Sequence, residues 1–88
     1  MKEFYPKVSI IIPICDGEQN LGKTINSALN QSYKNTEVIL INSNLGSTEI
    51  IDKYKDRIKY FNKINGNLPQ NINFGIGKMT GEYFSILI

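Results

Sequence analysis

Short apolar runs alternate with helically spaced apolar residues along the chain. Lys7-Val8-Ser9-Ile10-Ile11-Ile12-Pro13-Ile14 is β-branched and nearly continuous, the pattern of a strand covered on both faces. Asp16 to Gln19 reads as a loop and Asn20 as a helix N-cap. Leu21, Ile25, Ala28 and Leu29 then share one helical face, and this helix is expected to end near Gln31-Ser32. A second strand is predicted at Glu37-Val38-Ile39-Leu40-Ile41, and Asn42 to Gly46 is rich in turn residues. Ser47 or Thr48 caps a second helix whose buried side carries Ile50, Ile51 and Tyr54.

The remainder follows the same rhythm. Arg57 to Phe61 forms a third, shorter strand, and Asn65-Gly66-Asn67 is a turn. Pro69 suits the first turn of a third helix with Ile72, Ile76 and Met79 on its apolar side, weakened by Gly75 and Gly77. Gly81 ends that helix, and Glu82 to Ile88 is a fourth strand. The order β-α-β-α-β-α-β predicts an α/β fold of three layers, α/β/α, around a mostly parallel sheet. With no repeat, low-complexity tract or shift of composition, residues 1–88 read as a single, partial domain.

Composition narrows the chemistry by what is missing. The 88 residues carry 10 basic and 8 acidic side chains, a net +2 that does not suit a nucleic-acid binder. The run Lys53, Lys55, Arg57, Lys59, Lys63 alternates with Asp52 and Asp56, so it reads as a solvated surface. There is no His, which removes imidazole catalysis and imidazole metal sites, and the lone Cys15 has no partner for an internal disulfide. The amino terminus lacks an apolar signal-peptide core, and no stretch approaches the ~20 apolar residues of a membrane span. A cytoplasmic location is the expectation.

In a parallel sheet, ligands bind beyond the carboxyl ends of the strands, here Cys15 to Glu18 and Asn42 to Asn44. A dinucleotide fingerprint is missing, since only Gly17 follows the first strand. Gly22-Lys23-Thr24 has the end of a P-loop, but inside the first helix and without its upstream glycine.

The run Pro6 to Ile14, then Asp16-Gly17-Glu18, then Leu29 to Val38, resembles the start of a family-2 glycosyltransferase. The likeness continues through Gly46-Ser47-Thr48, Asn73-Phe74-Gly75-Ile76 and Thr80-Gly81-Glu82-Tyr83. It implies a nucleotide-diphospho-sugar transferase fold of the GT-A type, its amino-terminal half. It also implies transfer of a sugar from a nucleotide donor such as a UDP-sugar, in a setting such as cell-surface polysaccharide synthesis. The resemblance points to Pro13, Ile14, Cys15, Asp16, Glu18, Asn42, Ser43 and Asn73 as the nucleotide-binding positions.

Several of these depart from the family pattern. Cys15 stands where the family has a Tyr that stacks on the base, and is either a cleft thiol or a small packed side chain. Asn42-Ser43 replaces a pair of aspartates, leaving amide and hydroxyl groups to meet a base edge. Asn73 survives from an Ala-Arg-Asn motif whose Arg is lost, and either touches ligand or braces the third helix. Asp16 and Glu18 either reach ribose and metal-bound phosphate or are solvated.

The family also holds a divalent metal, Mg²⁺ or Mn²⁺, on an Asp-x-Asp motif after the fourth strand, to neutralise the leaving diphosphate. This chain reaches Ile88 about where the first of those acids stands, so catalysis by this chain alone is not expected and no metal ligands are assigned. The alternatives are a non-catalytic remnant and a module that self-associates through the apolar edge Tyr83 to Ile88.

Overall fold

The structure, a computed structural model, describes residues 5–14, 20–43, 49–62 and 66–87. Cys15, Asp16 and Glu18, and the capping positions Ser47 and Thr48, lie outside the described residues. The elements are β1 (Val8–Ile14), α1 (Leu21–Leu29), β2 (Thr36–Asn42), α2 (Glu49–Tyr54), β3 (Lys59–Asn62), α3 (Leu68–Lys78) and β4 (Tyr83–Ile86). All pairings are parallel, in the order β3-β2-β1-β4. This is the three-layer α/β arrangement that the alternation of runs predicts.

β1 and β2 are central, which is why six of the seven residues in each are buried. Alternate residues of a parallel strand turn both backbone groups toward the same neighbour. The carbonyl of Ile14 accepts from Ser43 N at 2.8 Å, so Ile14 looks toward β2 and Pro13 looks toward β4. Among the described residues β4 pairs with β1 as far as Ile11↔Ile86. The missing proline N–H therefore costs the β1–β2 ladder nothing, and Pro13 is tolerated in a central strand.

Each face of the sheet has its own core. Ile10, Ile12, Ile14, Val38 and Leu40 pack with Leu21, Ile25 and Ala28 of α1 and Ile51 of α2. On the other face Ile11, Ile39 and Ile41 meet Phe61, Phe74 and Met79 beneath α3. Phe61 and Phe74 pack edge to face, with ring centroids 5.5 Å apart.

Several local expectations are corrected. α1 ends at Leu29, with Asn30 as its C-cap, and Asn20 occupies the N-cap without a side-chain bond to the first turn. Ile50 is 39% exposed, because Ile51 turns to the sheet while Ile50 lies along the neighbouring helix near Gly22. β3 begins at Lys59, two residues later than the apolar pattern suggests.

The largest correction concerns α3, whose buried residues are Asn71 and Gly75, while Ile76 is 36% exposed. A Cβ at Gly75 would lie 2.8 Å from Ile11 Cγ2 and 2.8 Å from Ile41 Cδ1. The helix sits so close to the sheet that only glycine fits there, and the face is chosen by that approach.

α1 and α2 carry the chain outward from β1 to β3, and α3 returns it to the other side of β1. The direction of winding therefore reverses between β1 and β4, and the crevice at such a reversal opens at the carboxyl ends of the strands.

Candidate functional site

At those carboxyl ends the polar groups form one connected rim. Ser43 N donates to Ile14 O, extending the β1–β2 ladder by a rung beyond Asn42. The Ser43 hydroxyl accepts from Nδ2 of Asn71, which is fully buried in the first turns of α3. Asn42, itself buried, donates from Nδ2 to the Tyr60 hydroxyl at 3.3 Å. Three strands and a helix start are thus tied together where the crevice opens.

α3 begins here because its first turn is well satisfied. The Asn67 side chain accepts from Gln70 N at 2.9 Å, and Asn67 N donates to Gln70 Oε1 at 3.0 Å, a capping box with Pro69 in the first turn. That fixes the helix register and with it the position of Asn71.

The structure brings Ile14, Asn42 and Ser43 to this rim, with Pro13 one residue behind. Pro13 and Ile14 are buried, and the Ile14 side chain belongs to the core, so its carbonyl is what it contributes to the rim. Ser43 is half-buried and the most accessible of the group. Asn73 is exposed on α3, about 200° around the helix from Asn71. The residue that reaches the rim from this helix is Asn71, which the motif comparison passes over. Its signal is positional: it lies four residues before a glycine that faces the sheet.

The strongest electrostatic feature sits at the opposite end of the sheet. Glu37, buried at the start of β2, accepts from Ser9 Oγ at 2.5 Å, Lys59 Nζ at 2.6 Å, Thr80 N at 2.6 Å and Thr80 Oγ1 at 3.1 Å. Burial pushes its carboxyl up, but the hydrogen bonds from Lys59, Ser9 and Thr80 outweigh it and hold the pKa down to about 2. This carboxylate clamps the amino ends of all four strands, because Lys59 opens β3 and Thr80-Gly81 precedes β4. A groove is lined by Tyr5, Ser32, Tyr33, Lys34 and Asn35, the last of these just before β2. There the Tyr33 hydroxyl donates to Pro6 O, and Asn35 Nδ2 donates to Tyr5 O at 2.7 Å.

Among the described residues no three His, Cys, Asp or Glu side chains lie close enough together to hold a metal ion. Glu37, the buried carboxylate, is already saturated with donors at the wrong end of the sheet. The described rim presents the hydroxyl of Ser43 and the amides of Asn42 and Asn71, neutral groups that do not fit a divalent metal. No helix among the described residues is long and apolar enough to cross a membrane.

The profile of glycosyl transferase family 2 matches residues 9–87, and the chain belongs to that family. An uncharacterized glycosyltransferase of Rickettsia bellii is 47% identical, matching 99% of this chain and 13% of its own length. One of Rickettsia conorii is 46% identical, over 96% of this chain and 15% of its own. One of Haemophilus influenzae is 38% identical, over 91% of this chain and 27% of its own. The chain thus spans between about an eighth and about a quarter of these relatives.

Proposed function

We propose that this chain forms the nucleotide-binding part of the donor site of a glycosyltransferase, taking a nucleotide-diphospho-sugar, with a UDP-sugar as the first choice. What supports this is the rim of Ile14, Ser43 and Asn71 at the carboxyl ends of β1 and β2, beside the reversal of winding, in a family-2 chain. Ser43 offers the base or ribose a hydroxyl held by Asn71, while Asn42 supports the site from within through Tyr60. The groups offered are neutral, so recognition rests on hydrogen bonding and shape, with less discrimination than a carboxylate provides. Cys15, Asp16 and Glu18 remain proposed contributors from the segment that follows β1, whereas Asn73 faces away from the rim on α3. The complete reaction, transfer of the sugar to an acceptor, belongs to the whole protein and is part of the proposal. Calorimetric titration of UDP with Mn²⁺ tests the donor reading. Saturable binding at one site supports it, and no heat at millimolar UDP in a folded sample counts against it.

A second reading rests on β4. It is an edge strand among the described residues, and Tyr83, Phe84 and Ile86 are 59%, 47% and 37% exposed. We propose that the 88-residue chain pairs through this edge with a second copy. A two-fold axis would set the two β4 strands antiparallel and continue the sheet across both copies. Sedimentation velocity across a hundredfold range of concentration is the test. A monomer throughout would exclude it.

A further inference from the structure

We propose that Asn71 is a positioning residue for the donor site, holding in place Ser43, the first residue beyond β2. This rests on the donor reading for its functional consequence, but not for its geometry. Asn71 is 0% exposed and sits in the second turn of α3, fixed by the capping box around Asn67 and Gln70 and by the close seat of Gly75 on the sheet. From there its Nδ2 donates to the Ser43 hydroxyl, while Ser43 N donates to Ile14 O. The first residue beyond β2 is thereby held from two sides, by β1 and by α3.

The connection into α3 is shaped around the same amide. A Cβ at Gly66 would lie 2.1 Å from Asn71 Oδ1, 3.1 Å from its Cγ and 3.2 Å from Ser43 Oγ. Gly66 therefore leaves room for the Asn71–Ser43 pair, and any side chain there would push it apart. The amide acts through Ser43, being too deeply buried to meet a ligand itself.

Three variants of the 88-residue chain test this: Asn71→Ala, Ser43→Ala and Gly66→Ala. The first readout needs no ligand. Loss of one hydrogen bond corresponds to about tenfold in a local opening equilibrium, so Asn71→Ala should speed hydrogen exchange at the Ser43 amide about tenfold. Gly66→Ala should do the same while the Asn71 side chain is still present, which covers the case where Asn71→Ala folds poorly. If Ser43 exchange is unchanged while the amides of Val38 and Leu40 quicken, Asn71 is only a packing residue and the proposal is overturned.

The second readout is UDP affinity in a double-mutant cycle. Asn71→Ala should weaken binding several-fold in the native background and have little further effect alongside Ser43→Ala. Equal losses in both backgrounds would overturn the coupling through Ser43. If the native chain binds no UDP, the donor reading fails and the exchange experiment alone decides whether Asn71 positions Ser43.

Discussion

The carboxylate of Glu37 lies 2.6 Å from the backbone nitrogen of Thr80, joining residues 43 positions apart in the chain. It also takes Lys59 and Ser9, so one side chain fastens β1, β2, β3 and the approach to β4. The clamp and the candidate site occupy opposite ends of the sheet. Anchoring one end of the strands sets the register in which Ile14 and Ser43 meet at the other.

That clamp makes stability sensitive to acid. The Glu37 carboxyl titrates at about 2 in the folded chain against an ordinary 4.5, so its contribution is fully present above about pH 4.5 and is lost as pH falls toward 2. The loss is on the order of 3 kcal/mol. Glu37→Gln should be less stable than the native chain at pH 7, and the gap should narrow on acidification. Urea unfolding at pH 7 and pH 3 measures this; a gap that stays constant would remove Glu37 as its cause.

The two glycines late in α3 should respond to substitution with opposite signs. At Gly75 a Cβ would meet Ile11 and Ile41 at 2.8 Å, so Gly75→Ala should cost about 1–3 kcal/mol. At Gly77 nothing lies within 4 Å of the added atom, so Gly77→Ala should gain about 0.5–1 kcal/mol from helix propensity. Denaturant midpoints of the two variants decide the matter.

Asn67→Ala should lower stability by about 1 kcal/mol, since it removes the acceptor for Gln70 N and leaves the capping box half made. Thermal unfolding followed by circular dichroism checks the size of the effect.

These contrasts show where apolar patterning is a sound guide. Leu21, Ile25 and Ala28 mark the face of α1 because that helix fills its space with side chains against the sheet isoleucines. α3 does the reverse: it approaches through Gly75 and buries the amide of Asn71, so residues with little hydropathy mark its inner face. Ile72, Ile76 and Met79 are apolar, but only Met79 packs into the core of that face, and Ile76 turns outward. The strand ends that form the rim were readable as ends, which is how Pro13, Ile14, Asn42 and Ser43 stand out. Asn71 was not, because its role depends on which way α3 faces. The Asn67-x-x-Gln70 cap, by contrast, is written in the local sequence, where the turn signal of Gly66 overshadows it.

The most direct test of the donor-site proposal is a titration of UDP, with Mg²⁺ as a diamagnetic counter-ion for its diphosphate, into the isotopically labelled chain, followed by amide chemical shifts. The account predicts saturable shifts concentrated at residues 14–18 and 41–44, with the amide of Ser43 among the largest. The amides around Glu37 and Lys59, at the far end of the sheet, should stay still. A folded chain whose amides do not move at millimolar UDP, or move only around the groove of Tyr5 and Tyr33, would contradict it.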